Sequence, residues 1–244
     1  MRRLLAADMR RLVRSPLALG AVAAMVLVSA GFVYMQTLSA REVGLERVIL
    51  LFMSVYGMAA AMLLGLLHGG EYSEGMLRNK LICGCSRIQV YLSQMLVSVV
   101  TCVVMYLAAL LTALLLGIPL FDLHVSVGHE MLTAGIGFLC CVYYAALYTM
   151  IPALCPGRAV AVAVNMAAAM GMLMLSVSIS EILVSSAPGG GIWQIVLEAM
   201  PTGQAVLVNE AAIDAPMRMA LLDMCGTTVG LCVGAYVLGS RDIR

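Results

Sequence analysis

Apolar residues in this chain are gathered into long blocks separated by short polar stretches, with little alternation of the kind a half-buried strand would show. The blocks run over residues 17–38, 48–67, 90–116, 130–154, 159–183 and 217–238. A helix rises 1.5 Å per residue, so about 20 residues cross a hydrocarbon core of about 30 Å. Lipid offers no hydrogen bonds to a backbone, and a helix satisfies its own. The pattern therefore predicts an all-α, polytopic membrane protein with six transmembrane helices, forming one domain over residues 1–244. The first block exceeds the roughly 7–15-residue core of a cleaved secretory signal, and Leu38-Ser39-Ala40 is a poor cleavage site, so it is read as a permanent span.

Two shorter segments also carry a helical period. Over residues 1–16, Leu5, Met9 and Leu12 share one face while Arg3, Arg10 and Arg14 lie on another, and Pro16 closes the segment. This predicts an N-terminal amphipathic helix lying in the inner headgroup layer. Between the last two spans, residues 185–216 form a broken outer segment. There Pro188-Gly189-Gly190-Gly191 precedes a run in which Ile192, Trp193, Val196, Leu197 and Met200 share a face. Pro201-Thr202-Gly203 interrupts the run before Ala205–Val208, which predicts two short helices dipping into the outer leaflet.

Composition agrees with the blocks. Hydrophobic residues make up 63% and charged residues 11%, against about 45–50% and 25% for a soluble domain. The mean hydropathy is +1.03. The net charge of +1 conceals an asymmetry that sets topology. With the start inside, eleven Lys and Arg fall on inner segments and three, Arg41, Arg47 and Arg218, on outer ones. Positive residues stay on the cytoplasmic side, so both termini are placed there and the chain in the inner, cytoplasmic membrane as a multi-pass protein. Nothing in the charge pattern suggests nucleic acid. The eight cysteines are read as small apolar or reduced residues, and Cys83-Gly84-Cys85 is too tight for zinc spacing.

Motifs for chemistry on this chain are missing. No G-x-x-x-x-G-K-[ST], H-E-x-x-H or G-x-S-x-G occurs, so no catalytic residue and no metal site is assigned. His124 and His129, with Asp122 and Glu130, are read as a solvated outer loop. His68 falls on the opposite side.

The most informative polar stretch follows the second block, at residues 69–86. Acids, small residues and bases alternate there, and Gly75 and Gly84 bracket a short helix with Met76, Leu77, Leu81 and Ile82 on an apolar side and Arg78, Asn79 and Lys80 on a polar side. Such an element suits a groove on a cytoplasmic partner. Glu71, Gly75, Arg78, Asn79, Lys80, Gly84, Ser86, Arg87 and Tyr91 also match, in order, the stretch after the second span of type-2 ATP-binding-cassette exporter permeases, which this segment resembles. Six spans, the basic amphipathic start, the broken outer segment with Met200-Pro201-Thr202-Gly203-Gln204, and the terminal Arg241-Asp242-Ile243-Arg244 extend the similarity.

The resemblance implies a permease subunit, not itself an enzyme. It would pair with a second permease subunit as homo- or heterodimer and export an amphipathic or lipophilic cargo, such as an antimicrobial peptide or drug. ATP and magnesium would be bound by separate ATP-binding-cassette ATPase subunits beneath it. Glu71, Glu74, Leu77, Arg78, Asn79 and Lys80 would then form the ATPase-coupling loop. A non-transporting scaffold or sensor that binds a cytoplasmic partner is the alternative.

Inside the blocks, Asp223 sits roughly 9 Å from the outer end of the last span and Asn165 in the inner half of the fifth. Both are candidate cargo-path or intramembrane polar residues. Glu181 is expected near the outer interface. Gly226, Gly230 and Gly234 form a small-residue stripe that marks a helix-packing seam, within the chain or between two copies. The twenty methionines suit a deformable apolar lining.

Overall fold

A computed structural model describes residues 2–38, 45–117, 127–155, 157–185, 191–209 and 216–240. Among them are ten helices and no strand: α1 (Arg2–Arg14), α2 (Pro16–Leu38), α3 (Leu45–Ser73), α4 (Met76–Ile82), α5 (Arg87–Gly117), α6 (Val127–Leu154), α7 (Arg158–Ser185), α8 (Gly191–Glu198), α9 (Pro201–Asn209) and α10 (Pro216–Ser240). Arg41, Asp122, His124, Pro188 to Gly190 and Arg241 to Arg244, all named above, lie outside the described residues. So do the side chains of Arg47, His129 and Glu130.

The chain is all-helical, and five of these helices are long and apolar enough to cross a membrane: Pro16–Leu38, Arg87–Gly117, Leu132–Leu154, Arg158–Leu183 and Pro216–Ser240. Helix α3 contains the predicted block 48–67 within one continuous 29-residue helix. It is the centre of the bundle, packed against α2, α5, α6, α7 and α9. Its Phe52, Met53, Tyr56, Ala60, Ala61 and Leu64 are buried, whereas α2, α7 and α10 keep Leu27, Met174 and Leu221 outward.

The core is aromatic at its middle. Tyr56 meets Tyr106 edge-on at 6.5 Å and Tyr144 at 5.9 Å, and Tyr144 stacks on Tyr148 at 5.6 Å. Polar tips buried with the rings need partners. The Tyr56 hydroxyl donates to the Cys102 carbonyl at 2.7 Å and Tyr106 to the Ala134 carbonyl at 2.9 Å, which fixes α3 to α5 and α5 to α6.

Candidate functional site

The turn from α3 through α4 to α5 is built by start and stop signals in the sequence. Gly75 at φ 70° and Gly84 at φ 85° bracket α4, both in the left-handed region that residues with a Cβ enter at a cost. Gly84 N–H bonds the Leu81 carbonyl at 2.9 Å and Cys85 N–H the Lys80 carbonyl at 3.3 Å, the paired bonds of a Schellman stop. Two residues on, Ser86 Oγ accepts from Gln89 N–H at 3.3 Å while Gln89 Oε1 accepts from Ser86 N–H at 3.2 Å. This capping box starts α5.

Helix α4 is rooted by Leu77, which is buried with Val90, Tyr91 and Leu238 and covered by Leu4, Tyr72 and Leu81. Lys80, three residues on, shares that inward face. It reaches Asp8 Oδ1 at 3.0 Å and Glu71 Oε2 at 3.2 Å, with side-chain exposures of 14% for the lysine and 11% for each acid. Glu71 also accepts from Gln94 Nε2 at 2.7 Å and pairs with Arg11 Nη1 at 3.2 Å. Asp8 accepts from Ser93 Oγ at 2.8 Å. Burial by itself raises the Glu71 carboxyl, but His68 and Lys80 beside it and the hydrogen bonds from Gln94 and Lys80 outweigh that, so it sits below the ordinary carboxylate value.

Most residues of the nine-position motif are thus occupied within the chain. Glu71 and Lys80 belong to the ion cluster, Gly75, Gly84 and Ser86 shape the turn, and Arg87 Nη1 donates to the Gly239 carbonyl at 3.1 Å. The Tyr91 hydroxyl donates to the Gly230 carbonyl at 3.3 Å. Arg78 and Asn79 are different: both are exposed, and their side chains make no hydrogen bond or ion pair among the described residues. Ile82 beside them is 74% exposed. Glu74 is half-exposed and faces Arg158 at 3.9 Å.

A second polar cluster lies at the opposite end of the bundle, where α8 and α9 fold against α3, α6, α7 and α10. Asp223 is buried, and its Oδ1 accepts from Gln204 Nε2 at 2.9 Å. The same Gln204 nitrogen reaches the Glu198 carbonyl at 2.7 Å, and Cys140 Sγ donates to Gln204 Oε1 at 3.2 Å. Glu198 pairs with Arg218. The predicted apolar face of α8 is divided: Leu197 is buried, while Ile192 and Trp193 point outward. Asn165 Nδ2 donates to the carbonyls of Ala61 at 3.2 Å and Tyr148 at 3.3 Å, bridging three helices. Glu181 is exposed on α7.

The glycine stripe of α10 packs inside the chain. A Cβ at Gly226 would stand 2.5 Å from the Tyr143 ring and one at Gly230 3.3 Å from Ala146, both on α6, while one at Gly234 would collide with the Tyr91 hydroxyl of α5.

Several site residues were not singled out by sequence reasoning: Asp8, Arg11, Gln94 and the Glu198–Arg218 pair, while Gln204 entered only as the last residue of the broken-segment motif. Asp8 carried a signal, since an acid between Leu5 and Leu12 interrupts the apolar face of a basic helix. No group of three or more His, Cys, Asp or Glu able to hold a metal occurs among the described residues. No protein-family model matches the chain, and no curated protein matches it.

Proposed function

We propose that the chain is the membrane-spanning subunit of an ATP-driven exporter, moving an amphipathic or lipophilic cargo outward while a separate ATPase subunit hydrolyses ATP. In this reading residues 48–67 of α3 form the second of six spans, with the end of α3 from residue 69 in the cytoplasm, both termini are cytoplasmic, and α1 lies in the inner headgroup layer of the cytoplasmic membrane. A second permease subunit completes the pathway. The observation that carries the proposal is the exposure of Arg78 and Asn79 on a short helix whose other motif residues are engaged within the chain. A rooted helix with a free polar tip is what a cytoplasmic ATPase would grip. The mechanical share of this chain is to pass that grip to the spans, which alternate between two packings. No covalent step is assigned to it.

The test is copurification and ATP turnover. Arg78→Glu with Asn79→Asp should strip the ATPase from the membrane complex at least tenfold while the permease stays folded, and an unchanged complex would sink the assignment. Cargo-stimulated hydrolysis in reconstituted vesicles separates an exporter from a scaffold, which should show none.

A further inference from the structure

A groove of about 270 Å³ runs between α6 and α10 on the outside of the bundle, about two turns from Pro216 at the start of α10. That volume is near the roughly 300 Å³ at the small end of ligand pockets, so the groove can seat a compact molecule or one end of a longer one. It is lined by Leu139 and Val142 of α6 and by Asp223, Met224, Thr227 and Thr228 of α10. Met224 and Thr228 are exposed, so the groove opens away from the core. The Thr228 hydroxyl donates its proton to the Met224 carbonyl at 2.8 Å and keeps its oxygen lone pairs.

The charge beside this groove is unbalanced. Asp223 and Glu198 are both buried, at 1% exposure. Arg218 pairs with Glu198, but Asp223 makes no ion pair among the described residues. Its partners are neutral: Gln204 Nε2, which donates to Oδ1 at 2.9 Å, and the Cys140 thiol, 3.7 Å from Oδ2. That thiol has one proton and stands closer to Gln204 Oε1, at 3.2 Å, which leaves Oδ2 with lone pairs to offer. Oε2 of Glu198 is likewise buried without a hydrogen-bond partner among the described residues. An ionised carboxyl inside a membrane is costly unless it is paired or wet. Two buried acids share one guanidinium here, so the described residues lack one positive charge.

The lining of the groove decides what could supply that charge. A calcium or magnesium ion takes about six or more oxygen ligands, and the groove offers one carboxyl and two hydroxyls between apolar side chains. An anion would add to the excess, and an acyl chain would fill the apolar part while leaving Asp223 unpaired. We infer that the groove binds a lipophilic organic cation, with its apolar body against Leu139, Val142 and Met224 and its charge toward Asp223, Thr227 and Thr228. A cation site deepens the exporter reading by naming the class of its cargo and rests on that reading for transport, whereas binding itself needs no ATPase.

Equilibrium dialysis of the full chain in phosphatidylcholine nanodiscs tests it, with empty nanodiscs as the background. Two radiolabelled probes of like size and opposite charge are offered, tetraphenylphosphonium and tetraphenylborate. The wild type should bind the phosphonium saturably and at least tenfold more tightly than the borate. Asp223→Asn keeps an acceptor for Gln204 and removes the charge, and Thr228→Phe fills the groove from an exposed position. Each should lower phosphonium affinity at least tenfold. Should Asp223→Asn fail to fold, Thr228→Phe carries the test alone. No saturable binding, equal affinity for the two probes, or unchanged affinity in either folded variant would overturn the inference. Displacement of the phosphonium by equimolar sodium would also overturn it, because the ligand would then be a metal ion. None of these measurements involves the ATPase, so their failure removes the cargo class and leaves the coupling role of Arg78 and Asn79 to its own copurification test.

Discussion

Replacing Lys80 by Met isolates the ion cluster that joins α1, α3 and α4. Methionine keeps an unbranched apolar stem against Leu77 and removes the charge shared by Asp8 at 3.0 Å and Glu71 at 3.2 Å. Breaking a buried charge pair costs about 3–5 kcal/mol, because the surviving charge loses its partner. With 11–14% of these side chains still accessible and Arg11 still paired with Glu71, the loss falls below that range, to about 2–3 kcal/mol. For a chain of this size 1 kcal/mol moves the midpoint by about 2–4 °C, so thermal unfolding in detergent, followed by circular dichroism, should fall by about 4–12 °C. The pH dependence has a definite sign. Glu71 is held below its ordinary value, so its contribution is present above the ordinary carboxylate range and lost as pH falls through the folded value. In Lys80→Met one of the charges that offset the burial of Glu71 is gone, so its carboxyl rises, and the gap from wild type should narrow as pH falls toward the carboxylate range. Adding Asp8→Asn should recover part of the loss. A midpoint within about 1 °C of wild type at neutral pH would refute the reasoning.

Gly226→Leu forces a side chain into the Tyr143 ring and should cost about 1–3 kcal/mol, read as lost monodisperse yield, whereas Gly31→Leu, with nothing within 4 Å, should behave as wild type. Equal yields would remove the α10–α6 seam. Asp223→Ala leaves Gln204 Nε2 with the Glu198 carbonyl alone and should destabilise by about 1–3 kcal/mol, more than Asp223→Asn, which keeps an acceptor. A smaller loss in Ala than in Asn contradicts the hydrogen-bonded assignment. A membrane-impermeant maleimide should label exposed Cys83 in inside-out vesicles and spare it in right-side-out ones, with buried Cys102, Cys140, Cys141 and Cys155 reacting only after denaturation. Labelling of Cys83 from the outside would overturn the proposed cytoplasmic placement of the α4 turn.

The long helices were legible because length and apolarity decide them, and the observed ends of α2, α5, α7 and α10 fall within a few residues of the predicted blocks. The α4 turn was legible because Gly75 and Gly84 are local signals. Lys80 shows what a charge-based division of α4 misses. Its offset of three from Leu77 places it on the buried face, but a lysine is assigned to the polar side unless its acids are known, and Asp8 lies on a helix distant in sequence. The partner of the glycine stripe was hidden for a related reason: small residues announce a close approach, and only the fold says that Tyr143, Ala146 and Tyr91 fill it. Gln204 next to Asp223 likewise depends on α9 folding back between the spans.

The contacts around α4 constrain how a pull on its tip would spread. Leu77 ties the helix to α5 and to Leu238 at the end of α10, and Lys80 ties it to α1 and α3. Helix α10 is then held along its length, by Arg87 at Gly239 near one end, by Tyr91 at Gly230 in the middle and by Gln204 through Asp223 toward the other end. A displacement of Arg78 and Asn79 therefore cannot stay within α4 without breaking either the apolar root or the ion cluster. Contiguity of this kind supplies a route and not yet a coupling energy. Under the proposed exporter reading the two separate in Lys80→Met: if the ion cluster carries part of the work, the variant should keep a bound ATPase yet lose cargo-stimulated turnover. If Leu77 carries it alone, turnover should survive the loss of the cluster.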